Sequence, residues 1–222
     1  DSPGEYVALQ GINRNSVTGI VTLEISGADA SGATFAIEQP ILIRNGYFRT
    51  SPPLTVDPAT IDPANTQPEE EYVRSLTTLF NPQRYWNGIF TPANNEPDCI
   101  TAWFGDERIY NNTFTSFHTG LDYGVCITPS LDIYAPAAGK VVFAGELTVR
   151  GNATIIDHGW GIYSGMWHQK EIFVKTGDMV QQGQLIGLIG ATGRVSGPHL
   201  HWEIWAGGQQ VNPLTWLEKI FP

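Results

Sequence analysis

All five histidines of this 222-residue chain fall after residue 117. In His118-Thr119-Gly120-Leu121-Asp122 an imidazole and a carboxylate stand four residues apart around a glycine, and in His199-Leu200-His201 two imidazoles stand two apart. Side chains at i and i+2 of a strand project to one face, so His199 and His201 would present their rings together. A catalytic zinc takes three ligands of imidazole nitrogen or carboxylate oxygen and leaves a position for water, a count that two His and one Asp meet. Such a metal lowers the pKa of its water to about 7 and polarises a carbonyl. Further histidines would then be free for proton transfer or oxyanion stabilisation. Each piece also has an ordinary reading: His118 and His201 as satisfied core or surface histidines, Asp122 as a turn residue capping backbone N–H groups. On residue types and spacing alone, the metal reading and the structural one stand level.

The elements around these residues read as mostly β, because 24 Gly and 15 Pro interrupt the chain every few residues. Between Glu5 and Thr50, alternating stretches such as Val21-Thr22-Leu23-Glu24-Ile25 suggest short half-buried strands, and residues 1–55 are expected to form a small β-sandwich domain. Residues 56–97 are expected to be a connector. Its start is Pro-rich, and a helix is expected over 68–80, with Glu69-Glu70-Glu71 at the positive end of the dipole and Tyr72, Leu76, Leu79 and Phe80 on one face. Asn81 to Pro97 has no regular pattern, and its Tyr85, Trp86 and Phe90 suit packing onto a neighbour. Residues 98–222 form a second all-β unit, with strands expected at 140–144, 154–157, 172–175, 185–189 and 199–205.

A net charge of −10 works against capture of nucleic acid or an anionic membrane surface. No apolar run is long enough for a transmembrane helix, and without a charged-then-apolar leader before Asp1 the chain is expected to be a mature form. Cys99 and Cys126 are not in a C-x-x-C pair. A disulfide between them would close a loop of about 27 residues and imply an oxidising compartment; two separate buried thiols are the other reading. There is no G-x-S-x-G elbow and no H-E-x-x-H, so a serine hydrolase and a zincin are disfavoured.

The ordered motifs resemble those of M23 (LytM/lysostaphin-like) metallopeptidases. The resemblance runs from about Phe104-Gly105 through Phe117-His118-Thr119-Gly120-Leu121-Asp122, Ile133-Tyr134-Ala135-Pro136, Gly139-Lys140-Val141, His158-Gly159, Gly183-Gln184-Leu185-Ile186-Gly187, Thr192-Gly193, Gly197-Pro198-His199-Leu200-His201-Trp202-Glu203 and Val211-Asn212-Pro213. It implies a LytM-type antiparallel sheet with a groove over 98–222, and one zinc ion held by His118, Asp122 and His201. His168 and His199 would be the catalytic pair. His168 stands in Met166-Trp167-His168-Gln169, where the family usually has an apolar residue after the His. His158 would be structural. More loosely, the Ser51–Pro58 connector and the helix carrying Arg74 resemble the N-terminal part of some family members, which implies an immunoglobulin-like domain beside the catalytic one.

The activity so implied is a secreted, periplasmic or cell-envelope endopeptidase acting as a monomer on the peptides of bacterial peptidoglycan. Tyr110, Trp160, Tyr163 and Trp205 are candidate contacts to that substrate, or else core aromatics. Two alternatives share the fold. One is a catalytically silent wall-binding or hydrolase-activating protein, which predicts lost ligands where none is lost. The other is a latent enzyme whose N-terminal domain or Asn111-Asn112-Thr113 segment blocks the groove.

Overall fold

The computed structural model describes residues 7–29, 31–127 and 130–221. One compact unit holds residues 13–47, and the rest of the chain forms the other.

In the smaller unit, β1 (Gly19–Ala28) pairs antiparallel with β2 (Thr34–Ile43). Asp29 organises the turn between them, its Oδ1 accepting from the backbone N–H groups of Ser31 and Ala33. The β character expected here is present, but among the described residues it is one two-stranded sheet rather than two packed sheets. Alternation is real in the sequence, yet Ile20, Ile25, Phe35 and Ile37 are all exposed.

In the larger unit a single 3-10 turn (Pro58–Thr60) leads into α1 (Pro63–Thr77). The helix begins five residues before the expected start. Asp62 accepts from the backbone N–H of Ala64 as N-cap and Pro63 occupies the first turn, where its missing N–H costs nothing. Pro68 is tolerated inside the second turn. The buried face is shifted from the expected one: Glu69, Val73 and Thr77 are buried and Leu76 is partly buried against the core, whereas Tyr72, Leu79 and Phe80 are exposed. The acidic run hid this, because Glu69 reads as a solvated charge and is in fact the anchor of the helix.

There follow β3 (Ile100–Ala102), β4 (Glu107–Tyr110), β5 (Phe114–Phe117), β6 (Leu121–Tyr123), β7 (Asp132–Tyr134), β8 (Gly139–Leu147), β9 (Gly151–Gly159), β10 (Ile162–Ile172), β11 (Met179–Val180), β12 (Leu185–Ile189), β13 (Leu200–Ala206) and β14 (Gln209–Val211), then the short α2 (Leu214–Glu218). The main sheet has the order β11-β8-β9-β10-β13-β6-β3, with β12 and β14 joined to it through β10 and β13 and β7 joined through β12. Among the described residues every strand pair within it is antiparallel.

Strand β10 escaped the sequence reading because its residues 162–169 are buried without interruption. A strand covered on both faces loses the alternation that marks a half-buried one. One face packs with Leu121, Tyr123, Ile156, Met166, Trp202 and Ile204, and Trp86 and Phe90 of the irregular 81–97 segment join this core. The opposite face packs Ile155, Tyr163, Trp167 and Trp205 against Val73 of α1. The expected strand at 172–175 is only the end of β10, after which Lys175 donates its backbone N–H to Asp178 in a turn. Residues 48–97 thus belong to the larger unit rather than standing apart as a spacer.

The segment 49–56 runs beside β4. Glu107 donates its N–H to Arg49 O, Leu54 to Ile109 O, and Asn111 to Leu54 O, with parallel bridges at Thr50–Glu107 and Leu54–Tyr110. Cys99 and Cys126 are joined in a disulfide next to the β3–β6 pair.

Candidate metal centre and groove

Strand register brings the separated motifs together. Asp122 on β6 and His201 on β13 are direct cross-strand partners, and His201 is flanked on its other side by Trp167 of β10. His118 lies just before β6. The chain reaches it through Gly120, where a Cβ would stand 2.2 Å from the carbonyl oxygen of Trp202, so only glycine allows this approach to β13. His199 sits one residue before β13, bridged to Gly190. His168 is on β10 at a shift in register against β9, with φ of 64°. A non-glycine residue in that region costs free energy, and such strain collects at functional positions.

One nitrogen of each of these four imidazoles is committed to an acceptor. His118 Nδ1 donates to Trp103 O at 2.8 Å, His201 Nε2 to Glu203 Oε1 at 3.0 Å, His168 Nδ1 to Thr192 O at 2.8 Å and His199 Nδ1 to Gly197 O at 2.8 Å. These contacts set the tautomer and leave the other nitrogen with its lone pair. For His118 and His201 those lone pairs converge: His118 Nε2 is 2.9 Å from His201 Nδ1, and they lie 2.9 and 2.8 Å from Asp122 Oδ1. Two lone pairs and a carboxylate oxygen at these distances need a cation among them, either protons or a metal. The donor set is the nitrogen–oxygen mixture that zinc prefers, and these ligand atoms all lie within 4.8 Å of one another. The residues therefore fit a metal ion.

Partners that the sequence did not single out hold the ligands in place. The Arg108 guanidinium binds Asp122 Oδ2 at 2.6 Å, which leaves Oδ1 to face the imidazoles. Glu203 is fully inside the protein and takes hydrogen bonds from His201, from the Thr119 hydroxyl and from Gln210. Burial alone would raise the Glu203 pKa, but the His201 contact outweighs it and brings it down to about 2. Burial likewise opposes ionisation of Asp122, yet His118 and His201 hold its pKa well below the ordinary carboxylate value. Burial, then the neighbouring His199 and His201, push His168 well below the usual histidine value, so its imidazole is neutral. Glu203 was legible in principle, since it continues the i, i+2 alternation from His199 and His201. Arg108 was not, because β4 meets β6 only in the folded chain.

The other candidates divide. Tyr110 lines the groove, stacked on Phe114 with Arg194 over its ring at 4.7 Å. Tyr163 and Trp205 are buried in the core, and the Tyr163 hydroxyl is bonded to Leu79 O. Trp160 occupies the β9–β10 turn and donates to Pro82 O. None of these three lines the groove; Tyr163 and Trp205 pack in the core and Trp160 packs edge-on against Trp86. His158 is buried, donating to Ala138 O through Nδ1 and accepting from the Ser164 hydroxyl at Nε2. The groove itself encloses about 700 Å³. Its walls come from segment 51–56, α1, β4, β5 and the loop 194–199.

Residues 116–213 match the profile of Peptidase family M23. Peptidoglycan DD-endopeptidase ShyB of Vibrio cholerae is 35% identical over 141 residues, covering 63% of this chain and 31% of that protein. The chain spans less than a third of the length of the curated relatives it matches, as in that 31%. A crystal structure of a Pseudomonas aeruginosa protein assigned to peptidase M23 aligns with a TM-score of 0.71 at 27% identity, covering 94% of this chain and 77% of that one. A zinc-containing peptidase from Vibrio cholerae aligns with a TM-score of 0.53 at 29% identity, over 62% of this chain and 41% of that one. With its ordered motifs, its sheet and the match over residues 116–213, the chain carries a Peptidase family M23 domain.

Proposed function

We propose that the chain is a zinc-dependent endopeptidase that hydrolyses peptide bonds of bacterial peptidoglycan, in the stem peptide or the cross-bridge. The observation that carries this reading is the convergence of His118, Asp122 and His201 lone pairs on one point, with His168 and His199 beside them; the His168 and His199 rings are 4.8 Å apart. His118, Asp122 and His201 would hold the ion, which when bound supplies Lewis acidity toward a carbonyl and toward water at neutral pH.

The protein's own part is proton handling. His168 and His199 each keep Nδ1–H on a backbone carbonyl, so each offers Nε2 as a base. One takes the proton as water attacks the scissile carbonyl. Once protonated, an imidazole can return that proton to the departing amine, while the other ring lies close enough to stabilise developing negative charge. The peptidoglycan substrate is supported by the names of the relatives. An oxidising, extracytoplasmic location is supported by the disulfide. Among the described residues no helix is long and apolar enough to cross a membrane.

The test is digestion of purified peptidoglycan by the chelator-treated protein with and without one equivalent of zinc. Solubilisation that appears only on adding zinc is the expected result; equal solubilisation without metal would overturn the reading.

A further inference from the structure

The groove is lined by three arginines, and two of them are neutralised by carboxylates. Arg108 is on Asp122 at 2.6 Å, and Arg150 is on Glu69 at 3.0 Å and on Glu70 at 2.7 Å. Arg194 differs. Among the described residues it has no carboxylate partner; its guanidinium lies over the Tyr110 ring at 4.7 Å and donates to Thr60 O at 3.3 Å.

This cation is held on a rigid support. The Arg194 backbone N–H donates to Val149 O at 2.8 Å. The preceding Thr192 fixes the same loop, its hydroxyl accepting from Asn152 N and donating to Gln169 O, while its carbonyl orients His168. Five residues further on stands His199, lining the same cavity. Arg194 is partly exposed into that cavity. A planar guanidinium laid over an aromatic ring with one N–H on a carbonyl, and with no further acceptor among the described residues, is pre-organised for bidentate recognition of a carboxylate. The groove's own carboxylates cannot serve, because Asp122, Glu203 and Glu70 are committed to Arg108, His201 and Arg150.

We propose that Arg194 is a specificity-determining residue that receives a free carboxylate of the substrate peptide, carried on a residue flanking the cleaved bond. This rests on the peptidase reading above and names the substrate chemistry the groove selects. Cell-wall peptides that retain a free carboxylate near the scissile bond are bound and cleaved in preference to their amidated forms.

The experiment compares two synthetic stem peptides, identical except that one carries a carboxylate and the other a carboxamide. Binding to the zinc-loaded chain is measured by calorimetry for native protein, Arg194→Gln and Arg194→Lys. Native protein should prefer the carboxylate form by roughly tenfold or more, as expected when a charge-assisted bidentate pair is replaced by a neutral hydrogen bond. Arg194→Gln should bind both forms alike, and Arg194→Lys, which keeps the charge without the fork, should retain part of the preference. Zinc content should be the same in all three. Equal binding of the two peptides by native protein, no binding of either, or equal weakening of both in Arg194→Gln would overturn the assignment. Digestion of peptidoglycan by native protein is scored in parallel: digestion without a carboxylate preference removes only the Arg194 role, whereas a preference without digestion removes only the peptidase reading.

Discussion

The two oxygens of Asp122 are divided between tasks, Oδ1 toward the imidazoles and Oδ2 toward Arg108. Partners of this kind set ligand geometry, and losing one typically weakens metal binding roughly 10–100-fold. Arg108→Gln should therefore lower zinc affinity by about that factor in a competition titration, while His201→Ala should abolish stoichiometric binding. His199→Ala should keep its zinc yet lose about 10²–10⁴-fold in kcat, because its Nε2 stands 3.7 Å from Asp122 Oδ1, beyond hydrogen-bond reach, and its part is proton transfer; loss of zinc from this variant would move His199 into the ligand set. His158 supplies a prediction of another kind. Burial brings its pKa down to about 4, and both ring nitrogens are satisfied only in the neutral form. A depressed histidine contributes stability that is present above its unfolded value and lost as pH falls toward the folded one. Native protein should thus lose about 3 kcal/mol between pH 6.5 and 4 from this residue. His158→Gln should flatten the pH dependence over that window in denaturant titrations, and an unchanged slope would contradict the assignment.

At the level of elements, α1 is joined to the sheet by a buried carboxylate rather than by a broad apolar stripe. Glu69 accepts from the backbone N–H groups of Val149 and Arg150 and from the Arg150 guanidinium. Glu69→Ala would strand those donors and is expected to cost about 3 kcal/mol in chemical denaturation, whereas exposed Glu71→Ala should cost almost nothing. Hydrophobic periodicity points to Tyr72, Leu76, Leu79 and Phe80, of which only Leu76 packs on the core, because periodicity cannot see that an ion pair sets the buried face. Legibility elsewhere follows the same physics. Strand β12 was readable to the residue because Gly183 and Gly190 bound a short apolar run. Strand β10 was not, since uniform burial erases alternation. The candidate metal trio His118, Asp122 and His201 was named by the family resemblance, since residue types and spacing alone left the metal and structural readings level. The choice among aromatics was not readable, as Tyr110 in the groove and Tyr163 in the core are chemically alike and differ only in where the fold puts them.

For the molecule as a whole, the groove is a joint product of segment 51–56, α1 and the sheet, all within one compact unit. The connector residues therefore wall the groove together with the segments that carry the histidine motifs. The most direct test of the central claim is mass spectrometry of fragments released from purified peptidoglycan by zinc-loaded protein, with His199→Ala alongside. New fragments bounded by a cleaved peptide bond, released by native protein and not by His199→Ala, are the predicted result and would identify the bond. No release by native protein that holds one tightly bound zinc, or equal release by His199→Ala, would contradict the account.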